Sequence, residues 1–159
     1  MRRTWGLVLV AAFFIAGCAA EAPPGPPLDL RHNTRDLMAG MIDASADALW
    51  DSVGTVWDEN GETYWEPETD EEWLAVTGAA MTLIESGNLL MLGSRARDTE
   101  QWYVYSQEMI DAAAVALEAA EARDPDRVFD SGEVVYNACN NCHNIYWVGD
   151  EQRGRSIRE

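Results

Sequence analysis

Two cysteines and a histidine lie close together near the end of the chain, at Cys139, Cys142 and His143 in the stretch NACNNCHNIYW. This C-x-x-C-H spacing is the attachment signature of c-type haem. On a helix, positions i, i+3 and i+4 share one face, so both thiols can bond the macrocycle edge while the imidazole faces the iron. The motif predicts one covalently bound haem c, with His143 as the proximal iron ligand.

Three other kinds of site use the same residue types. A structural zinc site needs about four ligands. Beyond the motif, only His32 remains as an obvious further ligand when Cys18 is assigned to lipidation, so a zinc site is disfavoured. A redox-active C-x-x-C is expected at a strand-to-helix junction of a βαβ fold, whereas this motif lies late in a helix-forming chain. A plain disulfide between Cys139 and Cys142 would leave the adjacent histidine as a coincidence. Haem attachment is therefore the favoured hypothesis.

The N-terminus has the layout of an export signal. Two arginines precede an apolar run from Trp5 to Ile15, which is too short to span a membrane comfortably. The run ends in IAGC, which resembles the bacterial lipobox, and this implies that Cys18 becomes the lipidated first residue of the mature protein. An ordinary cleavable signal and an uncleaved anchor are the alternatives, but the small residues Ala16 and Gly17 fit a lipobox better.

The segment after Cys18 contains four of the six prolines of the chain and predicts an extended tether. Ala19, directly after the cysteine, resembles the outer-membrane sorting signal of Gram-negative lipoproteins. This implies an outer-membrane anchor that faces the periplasm, with the inner membrane as the alternative. An exported protein can also meet the machinery that attaches haem c.

The chain is strongly acidic, with 28 acidic and 11 basic residues and a formal net charge of −17 at pH 7. All of its basic residues are arginines. This charge disfavours nucleic acid and anionic lipid surfaces as partners. An acidic face that steers a basic redox partner is a functional interpretation, although such charge is usually a solvated surface.

Residues 33–147 are mostly helix-forming and show no strand-like alternation of useful length. Apolar residues at three- and four-residue spacing predict amphipathic helices. Capping signals mark their starts, at Asn33, at Thr69 with Glu72, at Asp98 with Gln101, and at Asp124 before Pro125. The predicted helices span about 34–56, 69–93, 98–123 and 124–148.

Four helices of about 20 to 25 residues with mostly short connections predict an all-α fold, an antiparallel four-helix bundle with the haem on its last helix. The connection after the first helix is longer, acidic and aromatic-rich. We expect its Trp57, Tyr64 and Trp65 to cap one end of the bundle. Gly78 and Gly87 either weaken the second helix or permit close packing.

A four-helix bundle with C-x-x-C-H near the end of its last helix resembles the class II c-type cytochromes, the cytochrome c prime family. The resemblance covers about residues 33–147 and rests on the motif's position, because class I cytochromes carry it near the N-terminus. It implies that the first helix covers the second face of the haem. Low-spin members supply a methionine there, and high-spin members leave the iron five-coordinate. The first helix often forms a homodimer face in this family.

Met38, in the stretch TRDLMAGM, is the sixth ligand that this resemblance favours, with Met41 as the second choice. Both lie on the apolar stripe of the first helix, where methionine is usually core filler. His32 precedes this helix and is expected to be a solvated loop residue. We assign the other methionines of the folded part to packing, namely Met81, Met91 and Met109.

Four aromatic or apolar residues are candidates to line the haem pocket, although such residues are more often generic core: Trp102, Tyr105, Val135 and Tyr136. The chain departs from the family beside the motif. Many members place a basic residue inside or directly after it, where this chain has Asn140, Asn141, Asn144 and Ile145. The resemblance therefore does not extend to a partner-docking surface.

The sequence predicts a membrane-tethered, one-electron carrier with a His/Met-ligated haem and a redox partner protein, not an enzyme. One alternative is a five-coordinate haem protein that binds nitric oxide or carbon monoxide. Another is an accessory subunit whose haem supports a larger redox complex. The predicted parts of the chain are a signal peptide at 1–17, a lipidated cysteine and tether at 18–32, a four-helix-bundle cytochrome c domain at 33–148 and a polar tail at 149–159.

Overall fold

The computed structural model describes residues 27–147. The predicted signal peptide, Cys18 and the tail at 149–159 lie outside the described residues. The chain is mostly helical with a small two-stranded sheet, which confirms the predicted helical character and is compatible with an all-α bundle. The helical elements are α1 (Thr34–Leu37), a π-helix (Met38–Ile42), α2 (Asp43–Trp50), α3 (Asp70–Leu90), a 3-10 helix (Gly93–Arg95), α4 (Gln101–Glu121) and α5 (Pro125–Tyr146). The strands are β1 (Gly54–Asp58) and β2 (Gly61–Trp65).

We call α1, the π-helix and α2 together the first helical segment. Among the elements that the structure describes, α3 packs extensively on α4 and α4 on α5. The first helical segment packs mainly on α3 and makes few contacts with α5. Between residues 27 and 147, no helix is long and apolar enough to cross a membrane.

Local capping signals set three of the helix starts, as predicted. The Asn33 side chain accepts hydrogen bonds from two backbone N–H groups in the first turn of α1. Thr69 and Glu72 form a reciprocal capping box at α3. Asp124 caps α5 ahead of Pro125. These side chains satisfy backbone donors that have no partner within the helix, so the start of each helix is encoded locally.

The predicted start of α4 is wrong by about one turn. The helix begins at Gln101, and Glu100 stands at its N-cap without a side-chain hydrogen bond. Asp98 lies outside the helix, where its Oδ1 accepts from the backbone N–H groups of Glu100 at 2.9 Å and Trp102 at 3.0 Å. The carboxylate still satisfies the exposed donors of α4, but from the preceding turn.

The prediction of a helix up to Val56 and of no strands is also wrong. The first helical segment ends at Trp50, and the chain then forms an antiparallel hairpin in which Gly54 pairs with Trp65. The sequence holds a signal for this hairpin, because Asn60-Gly61 lies between two β-prone runs. Gly61 has a φ of 121°, a conformation that favours glycine.

One aromatic side chain fixes the hairpin to the helices. The Trp65 indole lies against Gly54, where a Cβ atom would come within 2.3 Å of its ring. The Trp65 indole N–H also donates to the Asp51 carbonyl at 3.0 Å. All three aromatic residues of this connection are exposed, Trp65 less so than Trp57 and Tyr64. The expectation that Trp57 and Tyr64 cap the bundle end is therefore wrong.

The two glycines of α3 have different surroundings, which gives a matched pair of variants. A Cβ on Gly87 would come within 2.4 Å of Ile110 on α4, whereas nothing lies within 4 Å of one on Gly78. We expect Gly87→Ala to lower the free energy of unfolding by about 1–3 kcal/mol through overpacking. Gly78→Ala should raise it by about 0.5–1 kcal/mol through helix propensity. Urea unfolding followed by circular dichroism measures both, and changes of the same sign would contradict the close packing of α3 on α4.

Candidate functional site

The described structure brings the C-x-x-C-H motif and Met38 together. On α5, Cys139 lies about one turn before the adjacent Cys142 and His143, and all three line a narrow cavity. Met38 lines the same cavity from the π-helix. The other lining residues are largely apolar and come from the π-helix, α3, α4 and α5 itself: Ile42, Leu90, Tyr105, Ser106, Met109 and Ala138. Side chains predicted from opposite ends of the folded part thus meet at one site.

Met38 begins the π-helix, and this local geometry was not predicted. A π turn inserts an extra residue into the helical path and changes which side chains face a neighbouring helix, and such turns are frequent at functional sites. Met38 is half-buried and follows the buried Leu37. Met41 is also half-buried and packs against the core, but it does not line the cavity. Of the two methionines, Met38 is the one at the site.

Met109 also lines the cavity, although the sequence assigned it to packing alone. It is a buried residue of α4, four positions before the buried Ala113. This spacing places Met109 on the buried stripe of its helix. Its position at the cavity depends on how α4 packs against α5, which no local pattern reveals.

The four candidate pocket residues occupy different places. Tyr105 lines the cavity beside the motif. Trp102 and Val135 are buried in the core, and the Trp102 indole N–H donates to the carbonyl of the cavity residue Leu90 at 2.8 Å. Tyr136 does not line this cavity; it is exposed and lines a separate groove with Trp50 and Gly132.

Both thiols of the motif are free. Burial raises the pKa of the Cys139 thiol, and the nearby Asp43 carboxylate raises it further. Burial likewise raises the pKa of Cys142 to about 11, with added effects from Cys139 and Glu108. A redox-active C-x-x-C needs a lowered thiol pKa, so these surroundings do not favour dithiol redox chemistry.

The raised thiol pKa values predict the reactivity of protein made without haem attachment. Alkylation of Cys142 by iodoacetamide should be slow near neutral pH and should accelerate as the pH rises towards about 11. Because the pKa of Cys142 is higher in the folded protein than in the unfolded chain, its contribution to folding stability is complete below a pH of about 9 and is lost as the pH rises through about 11. Mass spectrometry of the proteolytic peptide that contains Cys142, in the Cys139→Ser variant, follows this thiol separately from Cys18, and half-maximal reactivity below pH 8 would contradict this environment.

Aromatic side chains pack around the C-terminal end of α5, beside the motif. The His143 and Trp147 rings lie 4.9 Å apart between centroids. Tyr146 donates its hydroxyl hydrogen bond to the Asp98 carboxylate and meets the Trp102 ring edge-on at 5.0 Å. The bond to Asp98 is the main cause that raises the pKa of Tyr146 to about 12. These contacts hold the motif's helix against the start of α4.

A second group of contacts fixes the start of the first helical segment. His32 is exposed ahead of α1 and does not line the cavity, and its Nδ1 lies 3.6 Å from Asp36. Arg95 is 6% exposed and donates from Nε to the His32 carbonyl at 3.0 Å. The Thr34 hydroxyl donates to the Arg95 carbonyl at 3.2 Å. Within residues 27–147, no carboxylate forms an ion pair with the Arg95 guanidinium.

Comparison with models of protein families, with characterised proteins and with solved structures gave no match. In the described part of the chain, no group of three or more His, Cys, Asp or Glu side chains is arranged to hold a metal ion. The function is therefore inferred from the motif, the cavity and their surroundings.

Proposed function

We propose that this protein is a membrane-tethered c-type cytochrome that carries one electron on a single haem c. Cys139 and Cys142 attach the haem, His143 is the proximal iron ligand and Met38 is the sixth ligand. The observation that carries the proposal is that C-x-x-C-H and Met38 line the same cavity although they come from different helices. Its apolar lining is the environment that a haem-binding site requires.

We infer that the fold is an antiparallel four-helix bundle, as in the class II c-type cytochromes that the sequence resembles. Met38, near the start of the first helical segment, shares a cavity with His143 near the end of α5. Trp50, at the end of that segment, donates from its indole to the Gly132 carbonyl in the first half of α5 at 3.0 Å. This order of contacts supports an antiparallel arrangement of the two.

The residues present fit a covalently bound haem. Two free thiols at i and i+3 and an imidazole at i+4 face one apolar space. The cavity itself holds only about 30 Å³, so a haem would part the first helical segment from α5. These two elements contact each other little, and farther along they leave a groove of about 460 Å³. The separation that haem binding needs therefore falls where two helical elements make few contacts with each other.

When bound, the haem supplies an iron that alternates between the ferric and ferrous states. His143 and Met38 would ligate both states, which keeps the geometry nearly constant during electron transfer. Met/His ligation raises the reduction potential, and the apolar lining tunes it further by excluding water. The buried Arg95 holds the segment that leads into Met38 through its hydrogen bonds with His32 and Thr34.

The proposed location follows from the N-terminal sequence. The export signal and the lipobox-like IAGC support a lipid anchor at Cys18 in the outer membrane, facing the periplasm, with the inner membrane as the alternative. The proline-rich segment after it would hold the folded part away from the bilayer. The electron would then be exchanged with a redox partner protein in the same compartment.

A redox titration, followed by the addition of carbon monoxide to the ferrous protein, tests the electron-carrier function. We expect a reversible one-electron transition in the absorption spectrum, and no spectral change when carbon monoxide is added to the ferrous protein. The gas has no open coordination position when His143 and Met38 both ligate the iron. A ferrous spectrum that shifts on addition of carbon monoxide would favour the gas-binding alternative instead.

A further inference from the structure

The hairpin presents two aromatic side chains on one face. Thr55 pairs with Tyr64 and Trp57 pairs with Glu62, so Trp57 and Tyr64 are diagonal neighbours on the same side of the two strands. Trp57 is 74% exposed and Tyr64 is 51% exposed. We call these two rings and the carboxylates around them the hairpin face. Large exposed rings are enriched at protein interaction sites.

The opposite side of the hairpin holds this face in position. Trp65 alternates with Tyr64 along β2, so it points away from the hairpin face, and its ring lies against Gly54. Its indole donates to the Asp51 carbonyl at the end of the first helical segment. Because the hairpin is anchored, a partner that binds the exposed rings loses little free energy in ordering them.

Charge defines the kind of partner. Residues 36–94 contain thirteen acidic side chains and no basic one. Four of the carboxylates belong to the hairpin or follow it directly: Asp58, Glu59, Glu62 and Glu66. The Tyr64 hydroxyl donates to Glu66 at 2.7 Å. Carboxylates beside aromatic faces attract guanidinium and ammonium groups through ion pairs and cation–π contacts, and they repel anionic lipid and nucleic acid.

The hairpin face lies apart from the cavity. Met38 lines the cavity, and Trp50 ends the same helical segment twelve residues later, about 18 Å away at 1.5 Å per residue. The hairpin begins beyond Trp50. A partner bound to the hairpin therefore leaves the cavity side of the protein accessible.

We propose that the hairpin face is a docking surface for a protein partner that exposes arginine and lysine side chains, separate from the proposed redox site. The rings supply the contact area and the carboxylates supply the ion pairs. The inference does not rest on haem binding, since none of its residues lines the cavity.

The test uses the full chain and a labelled nine-residue arginine peptide, with binding measured by fluorescence anisotropy in about 0.15 M salt. The Trp57→Ala/Tyr64→Ala variant keeps the net charge and removes both rings. We expect its affinity to fall about fivefold to thirtyfold. The control variant Phe129→Ala/Tyr136→Ala removes another pair of exposed rings, 63% and 55% exposed on α5, and should bind as the wild type does.

A conservative variant controls for unfolding of the hairpin in the alanine variant. Trp57→Phe/Tyr64→Phe keeps aromatic rings at both positions and should retain most of the affinity, while loss of binding in this variant would overturn the proposal. Equal affinities of the two alanine variants would also overturn it, because bulk charge would then account for the binding. Binding to zwitterionic phosphatidylcholine vesicles distinguishes a membrane from a protein partner. If the wild type binds these vesicles and Trp57→Ala/Tyr64→Ala does not, while both bind the peptide equally well, the rings face a membrane and the proposal is overturned.

Discussion

Met38→Ala is expected to convert the ferric haem from low spin to high spin and to lower its reduction potential. The substitution removes the thioether proposed as sixth ligand, and the alanine that replaces it cannot reach an iron. Methionine ligation favours the ferrous state, so its loss stabilises the ferric form. Electron paramagnetic resonance and absorption spectra of the oxidised protein measure the spin state, and a redox titration measures the potential.

Two other methionines provide controls for this experiment. Met41 is a half-buried residue of the same π-helix that does not line the cavity, so Met41→Ala should keep the low-spin spectrum. Met109 lines the cavity from α4, and Met109→Ala should also remain low spin if Met38 is the ligand. A low-spin spectrum that persists in Met38→Ala and is lost in either control would move the ligand to that residue.

A wild-type spectrum that is already high spin, and that Met38→Ala leaves unchanged, would contradict the electron-carrier mechanism. The iron would then be five-coordinate, and the cavity side of the haem would be open to a small ligand. That result would support a protein that binds nitric oxide or carbon monoxide, with Met38 as part of the apolar core.

Replacing both Cys139 and Cys142 with serine is expected to abolish covalent haem attachment. Serine preserves the shape of the side chain but does not form the thioether bonds, so haem should be lost under denaturing conditions. The measurement is haem staining of a denaturing gel after maturation with the haem c attachment machinery. Each single serine variant leaves one thiol and should retain less haem than the wild type.

The third cysteine gives a matched control. Cys18→Ser removes the proposed lipidation residue but leaves the motif intact, so its haem stain should equal that of the wild type. Haem lost in Cys18→Ser and retained in the double variant would contradict the division of the three cysteines into one lipid site and two haem sites.

The helices were predictable because their ends are encoded locally. Asn33, Thr69 and Asp124 are each followed by residues that complete a cap, and each occupies the predicted position. The hairpin was missed because Val53 and Val56 continue the apolar spacing of the first helix, and that periodicity outweighed the turn signal at Asn60-Gly61. A helix period alone does not show where a chain leaves the helix.

The site was predictable only as far as its motif. Cys139, Cys142 and His143 are neighbours in sequence, so their common helix face follows from local geometry. The π-helix at Met38 and the place of Met109 at the cavity depend on packing between helices, which single-chain periodicity does not contain. The resemblance to class II c-type cytochromes favoured Met38, and the structure brings it to the cavity of the motif.

The central claim is that this chain carries one covalent haem on the cysteines of α5. The most direct test is an intact mass measurement and an alkaline pyridine haemochrome spectrum of the protein matured with the haem c attachment machinery. The account predicts one haem per chain, with its mass on the peptide that contains Cys139 and Cys142 and the haemochrome spectrum of two thioether bonds. A colourless protein in which that peptide has its unmodified mass would contradict it.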